Sequence, residues 1–394
     1  MKTRDVVILS AVRTAIGTYG GALKDTPPAD LAALTLKHAV ERAGLEPSTI
    51  DHVVYGNVLH SEPRDVYLSR IAAIQAGLPV ETPAFSVNRL CGSGLQALVS
   101  AAQQIETGHA EVCIAGGAES MSRAPYHVQT ARWGARMNDT QMVDAMVGAL
   151  TDPFDQVHMG ITAENIAEKW GISREEQDEL AAISQQRAHN AWENNHFKDQ
   201  IIPVEIKSRK GTTVFEKDEH FRANTTAETL SKLSPVFKTG GTVTAGNASG
   251  MNDAASSLVL ASAETAQARG LKPLARLVGY SHAGCEPKYM GIGPVPAVKK
   301  LLDKTGLAIG DFDTFEVNEA FAAQALAVIR DLELPLDKTN PNGSGISLGH
   351  PIGATGALIT TKAVHELIRT GGRYALVTMC IGGGQGIAAA FERI

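Results

Sequence analysis

The chain repeats its own pattern after 262 residues, and this repeat limits its possible folds more than any other feature. Gly94 and Gly356 each open an alanine-rich stretch that is followed by a turn and an apolar run. Matches at separate points in a single register predict two related halves rather than a chance similarity. The matched points are Gly44-Leu45 with Gly306-Leu307, Asp51 with Asp313, and Gly94 with Gly356.

Short β-branched runs alternate with alanine-rich stretches along much of the chain. This alternation is typical of an α/β protein, and it predicts a largely parallel sheet. With the repeat, it predicts a duplicated α/β fold of two related halves with central sheets. The strand candidates are 6–9, 53–55, 112–115 and 374–377, and the helix candidates are 28–43, 94–107 and 356–369.

The middle of the chain has a different character, with more charged residues and scattered His, Met and Trp. It predicts a polar helix near 173–195 and a hairpin at 206–221. Long insertions of this kind often shape binding sites. We therefore expect an inserted loop domain at 119–250, a first half at 1–118 and 251–270, and a second half at 271–394.

Composition excludes several classes of function. The formal net charge of −6 argues against non-specific nucleic-acid binding, and no apolar stretch is long enough to span a bilayer. The initial apolar run is too short for a signal peptide. Four cysteines without a C-x-x-C pair argue against a zinc site and suit a reducing compartment, so we expect a cytoplasmic protein without metal.

Two cysteines lie in glycine-rich segments, which have too few side chains to form a hydrophobic core. Cys91 precedes Gly-Ser-Gly at the start of a predicted helix, where the helix dipole is expected to depress the thiol pKa. Cys380 ends a predicted strand before three glycines, whose amides suit either a tight turn or an oxyanion hole. A buried structural thiol is the commoner role of a free cysteine, and Cys113, inside an apolar strand, fits that role.

His350 lies between Gly349 and Pro351 in a glycine-rich loop. These neighbours fix the backbone and leave the ring free to face a substrate, although a lone histidine is more often structural. Asn318 follows a predicted strand, where its amide suits a helix N-cap or a water-binding site. Two thiols and an imidazole together supply a nucleophile, its activator and a separate acid/base.

These motifs, in this order, resemble those of the thiolase family over essentially the whole chain. Each motif is modestly specific alone, and the ordered set is highly specific. The segments that carry the resemblance are 87–94 around Cys91, 117–122, 318–322 (Asn-Glu-Ala-Phe-Ala), 349–351 (Gly-His-Pro) and 380–384 (Cys-Ile-Gly-Gly-Gly).

The resemblance implies a reversible Claisen condensation of acyl-CoA with acetyl-CoA, or thiolysis of a 3-ketoacyl-CoA, through an acyl-cysteine. Cys91 would carry the acyl group after His350 removes its proton, and Cys380 would be the second acid/base. His350 and a water held by Asn318 would form one oxyanion hole. The amides of Cys91 and Gly382 would form the other.

The resemblance also implies that the insertion binds coenzyme A. Coenzyme A and acyl-CoA would be substrates, with no tightly bound cofactor, and the assembly would be a homotetramer built from two dimers. The positions that match the family's coenzyme A contacts are His158, Met159, Arg222, Ala245 and Ser249.

Two features bear on the substrate. The segment 155–160 resembles the short-chain biosynthetic branch of the family, whereas 60–70 departs from it and is similar to bacterial β-ketothiolases of broader chain length. Acyl-chain length and the physiological direction therefore stay open.

Two alternatives stay open as well. A ketosynthase-like condensing enzyme generally uses Cys-His-His or Cys-His-Asn, so the thiol of Cys380 argues against it. A catalytically silent thiolase-like protein that binds lipid or coenzyme A is disfavoured because Cys91 and His350 are both present.

Overall fold

The computed structural model describes residues 4–209 and 211–394. The strands are β1 (Val6–Thr14), β2 (Gly17–Thr18), β3 (His52–Gly56), β4 (Ala84–Val87), β5 (Val112–Ser120), β6 (Tyr126–His127), β7 (Val143–Asp144), β8 (Ile201–Ile202), β9 (Val204–Ser208), β10 (Gly211–Phe215), β11 (Asn252–Ser262), β12 (Ala275–Gly284), β13 (Thr314–Val317), β14 (Tyr374–Ile381) and β15 (Gln385–Arg393). The helices are α1 (Pro28–Arg42), α2 (Leu68–Gln75), α3 (Ser93–Glu106), α4 (Ala145–Ala149), α5 (Met159–Trp170), α6 (Arg174–Glu193), α7 (Ala227–Ser231), α8 (Ala263–Ala268), α9 (Pro294–Thr305), α10 (Ala322–Asp331), α11 (Gly345–Leu348) and α12 (Thr355–Thr370).

Within the described residues, eleven strands form one mixed sheet. Nine of them follow the order β13-β14-β15-β12-β1-β11-β5-β3-β4, and the other two are β2, which pairs with β11, and β8, which pairs with β1. The prediction of a largely parallel sheet is wrong, because β11 runs antiparallel to β1 and β5, and β15 runs antiparallel to β12 and β14. Parallel pairs need a crossover, which α2 provides between β3 and β4. The glycine turn after β14 is too short for a crossover, so β15 must run back antiparallel.

The two halves share one topology, which confirms the predicted duplication. The order β3-β5-β11-β1 in the first half matches β13-β14-β15-β12 in the second, with the same parallel and antiparallel pairings. The shift of 262 residues carries the first residue of α3 onto that of α12, and the first residue of β5 onto that of β14. β1 and β12 join the halves.

The helices α3 and α12 pack against each other and against strands of both halves, while α1 packs on the outer face of the first half and α9 on that of the second. Their backbones touch at the equivalent glycines. A Cβ on Gly356 would lie 2.1 Å from the backbone nitrogen of Leu95, and one on Gly94 would lie 2.6 Å from that of Ala357. This crossing brings the segments that precede both helices, which hold Cys91 and His350, to one place.

The segment 119–250 confirms two local predictions, since α6 is the polar helix and β9 and β10 form the hairpin, which covers 204–215 rather than 206–221. Ser173 caps α6 by accepting a hydrogen bond from the backbone of Glu176 at 3.2 Å. A buried ion pair ties the insertion to β1, because Arg13 donates to both oxygens of Asp218 at 2.8 and 3.0 Å. No helix in the described part of the chain is long and apolar enough to span a bilayer.

Candidate active site

A cavity of about 450 Å³ lies where the segments before α3 and α12 meet the end of β14. Asn318 does not line the cavity but lies behind His350, and Arg222 is exposed outside the lining. The sequence-predicted residues that line it are Cys91, His350, Cys380, Gly382, His158, Met159, Ala245 and Ser249.

A tight turn presents Cys91 to the cavity. Leu90, just before it, has a φ of 47°, a left-handed conformation that non-glycine residues adopt only at a cost. Ser93 stabilises the turn, because its hydroxyl accepts from the amide of Arg89 at 2.9 Å and donates to the carbonyl of Leu90 at 2.6 Å. The helix begins at Ser93, so the thiol lies two residues before it.

The expected depression of the Cys91 pKa is wrong for the free protein. Burial of the thiol raises its pKa to about 11, and the backbone amides of Gly382 and Cys91, which hydrogen-bond the sulfur, oppose that rise only in part. The low-dielectric surroundings outweigh the helix end, since α3 starts two residues further on. The resting group is a thiol that needs a base, with two amides already directed at its sulfur.

The base candidate, His350, is buried and held at both its backbone and its ring. Its amide donates to Oδ1 of Asn252 at 3.0 Å, and its Nδ1 lies 2.7 Å from Oγ1 of Thr355. Burial lowers the pKa of the imidazole to about 4, so the ring is neutral near pH 7 and can accept a proton.

Asn318 contacts the ring of His350. Its Nδ2 lies 3.4 Å from both ring nitrogens, and its buried Oδ1 has no hydrogen-bond partner among the described residues. A buried carbonyl oxygen without a donor is a suitable acceptor for a water.

Cys380 is fully buried at the end of β14. Burial raises the pKa of its thiol well above its ordinary value, and the neighbouring thiols of Cys91 and Cys285 raise it further. Gly383 and Gly384 follow with φ values of 78° and 84°, so the three-glycine run is a tight turn. The turn places the amide of Gly382 on the sulfur of Cys91.

Aromatic and thioether side chains form the apolar wall. The ring of His158 stacks on Phe237 with centroids 4.6 Å apart, and its Nδ1 accepts from the amide of Gly160 at 3.0 Å at the start of α5. Met159 and Phe321 belong to the same apolar cluster as Cys380. Sequence reasoning missed Phe237, because a lone phenylalanine in a polar loop carries no signal of its partner.

Sequence reasoning also gave no role to Glu119. This buried carboxyl accepts from Nδ2 of Asn57 at 3.0 Å and from the amides of Val58 at 3.1 Å, Leu59 at 3.1 Å and Gly353 at 2.9 Å. Burial raises its pKa to about 8, against the lowering effect of those three amides. Glu119 thus ties the loop after His350 to the first half.

Models of two protein families match nearly the whole chain. The thiolase N-terminal domain matches residues 6–264, and the thiolase C-terminal domain matches residues 271–393. The chain belongs to the thiolase family. This finding confirms the resemblance inferred from the motifs.

Individual thiolases are similar over their full length. The beta-ketothiolase BktB of Cupriavidus necator is 62% identical over 393 residues, 100% of both chains. The human mitochondrial 3-ketoacyl-CoA thiolase is 49% identical, over 99% of this chain and 98% of its own.

Solved structures of thiolases are also similar to this structure over nearly their whole length. The Bacillus anthracis acetyl-CoA acetyltransferase superimposes with a TM-score of 0.98 at 48% identity, covering 100% of both chains. The human mitochondrial 3-ketoacyl-CoA thiolase in complex with CoA gives 0.96 at 48% identity, covering 99% of this chain and 98% of that one.

Proposed function

We propose that this thiolase is an acyl-CoA C-acyltransferase, a β-ketothiolase that runs reversible Claisen chemistry through an acyl-cysteine. The observation that carries the proposal is the convergence of two thiols and a neutral imidazole on one apolar cavity. The similarity to enzymes named beta-ketothiolase and acetyl-CoA acetyltransferase supports it.

In the first step, His350 accepts the proton of Cys91 while the sulfur attacks the thioester carbonyl. A tetrahedral oxyanion forms, its collapse breaks the bond to the sulfur of coenzyme A, and the leaving thiolate takes the proton from His350. The amides of Gly382 and Cys91 stabilise the oxyanion, since both already lie at the sulfur.

In the second step of synthesis, Cys380 gives its proton to His350, and the resulting thiolate removes an α-proton from acetyl-CoA. The enolate carbon attacks the acyl-cysteine, and the sulfur of Cys91 leaves and takes the proton from His350. The protonated His350 and a water on Oδ1 of Asn318 stabilise the enolate oxygen, and the unpartnered Oδ1 supports the place of that water. Thiolysis is the reverse, with Cys380 protonating the leaving enolate.

Coenzyme A binds across the insertion in this proposal. His158, Met159, Ala245 and Ser249 contact the pantetheine arm, which the apolar lining suits. Arg222 is the cation that binds the phosphates of coenzyme A. Its charge acts on His220, which lines the cavity, and helps lower the pKa of that ring, so Arg222 lies close to the cavity. No tightly bound cofactor takes part.

The proposed assembly is a homotetramer of two dimers in the cytoplasm. Two large apolar side chains on one loop, Trp133 and Met137, are 82% and 84% exposed, and this pair supports placing a contact between subunits there. All four cysteines are free thiols, as suits a reducing compartment. Trp133→Ser with Met137→Ser should halve the mass measured by light scattering, whereas an unchanged tetramer would refute this surface.

The deciding experiment is thiolysis of 3-ketoacyl-CoA substrates of four to ten carbons, with Cys91→Ala and Cys380→Ser as variants. Cys91→Ala should abolish acyl-enzyme formation and lower turnover by about 10⁴-fold or more. Cys380→Ser should keep acylation and lose carbon–carbon bond chemistry. Coenzyme A binding without turnover of any substrate would instead indicate a silent binding protein, and acylation retained in Cys91→Ala would refute the nucleophile.

A further inference from the structure

The imidazole of His350 can act as a base through only one of its two nitrogens. A neutral ring carries its proton on Nδ1 or on Nε2, and the hydrogen bond made by one nitrogen decides which nitrogen has the free lone pair. The closest polar contact of the ring is between Nδ1 and Oγ1 of Thr355, at 2.7 Å. The direction of that hydrogen bond therefore matters to catalysis.

The hydroxyl of Thr355 has a second partner, which decides the direction. Its Oγ1 lies 2.9 Å from the carbonyl oxygen of Pro351, one turn earlier, and a carbonyl can only accept. Turning the hydroxyl proton toward His350 would leave two oxygens facing each other at 2.9 Å with no proton between them. The hydroxyl thus donates to Pro351 and accepts from Nδ1–H.

The contact with Asn318 does not select a tautomer. Its Nδ2 lies 3.4 Å from both ring nitrogens, so a proton on either nitrogen would be equally far from this amide donor. The contact with Thr355 therefore decides the tautomer.

We propose that Thr355 is a positioning residue that holds His350 as the Nδ1–H tautomer and leaves Nε2 as the base for the thiol of Cys91. Thr355 is the first residue of α12, and its backbone amide also donates to Pro351 at 2.9 Å. Both the hydroxyl and the backbone amide of Thr355 are therefore held at the start of α12, next to His350. Asn252 holds the backbone of His350 at the same time.

This inference rests on the proposed function, because a base is needed only if Cys91 is the nucleophile. The test compares Thr355→Val, which keeps the branched shape and loses the acceptor, with Thr355→Ser, which keeps the hydroxyl. Acylation by acetyl-CoA is followed in a single turnover. Solid-state ¹⁵N spectra of histidine-labelled protein report the tautomer, with His350 assigned by difference from His350→Asn.

The wild type and Thr355→Ser should show Nδ1–H and acylate within about threefold of each other. Thr355→Val should lose that signature and acylate about 10²-fold more slowly, in the range of a misplaced general base, with coenzyme A binding intact. An Nε2–H signal in the wild type would overturn the proposal, and so would wild-type acylation by Thr355→Val. The spectrum of the wild type decides even if Thr355→Val fails to fold, and acylation surviving in Cys91→Ala would mark failure of the proposed function instead.

Discussion

Cys91 and His350 are both uncharged in the resting protein. Burial raises the pKa of the thiol to about 11 and lowers that of the imidazole to about 4, so proton transfer between them is unfavourable until a substrate is present. The amides at the sulfur of Cys91 then stabilise charge as it develops. Such a site does not react with water, and its electrostatic stabilisation acts on the oxyanion that forms from the thioester.

The pH dependence of acylation should reflect this burial. A protonated imidazole cannot accept the proton of Cys91, so activity is lost only as pH falls through the pKa of His350. We expect single-turnover acylation to stay nearly flat from pH 8 to about pH 5 and to fall as the pH approaches 4.

A control separates titration from unfolding: protein held at the lowest pH and returned to pH 7.5 should recover full activity. A midpoint near the ordinary histidine value of about 6.5 would contradict the buried neutral ring.

At the scale of elements, the relative position of the two catalytic loops depends on how closely the backbones of two helices can approach each other. The helices α3 and α12 approach at Gly94 and Gly356, and this contact sets the distance between the two catalytic loops. The strands and helices themselves follow local pattern, which is why 94–107 and 356–369 were predicted nearly as they occur. The directions of the strands were not predicted correctly, because they depend on connections such as the turn after β14.

Gly356→Ala should destabilise the protein by about 3 kcal/mol, because its Cβ would meet the backbone of Leu95, which cannot give way as a side chain can. The midpoint of chemical denaturation measures the change.

Gly148 in α4 is the matched control, since nothing lies within 4 Å of a Cβ built there. Gly148→Ala should stabilise by about 0.5 to 1 kcal/mol. Equal midpoints for the two variants would show that the helix crossing tolerates a methyl group.

At the scale of the whole molecule, the insertion is held to the first half by charge as well as by packing. Asp218 accepts from Arg13, from the backbone of Ile16 at 2.7 Å and from Nε1 of Trp192 at 3.1 Å. Both charged side chains are fully buried. Buried pairs add little net stability, but breaking one leaves an uncompensated charge.

Asp218→Asn should therefore lower the free energy of unfolding by about 3 to 5 kcal/mol. Glu176→Gln serves as the control, because its ion pair with Arg330 is more than one-third exposed on both sides and should change stability by no more than about 1 kcal/mol. Thermal midpoints measure both, and a loss no larger than that of the control would indicate that Arg13 finds another partner.

The sequence by itself determined the duplication, the element types and the order of the motifs, because these depend on local pattern and on spacing along the chain. It also pointed to Cys91, His350 and Cys380, since glycine-rich surroundings are visible in the sequence. Only the tertiary structure decided the direction of the thiol pKa shift, the contact of Thr355 with the ring and the place of Asn318 behind it. Burial and hydrogen-bond direction depend on groups far apart in the chain, and they exist only once α3, α12 and β14 are packed together.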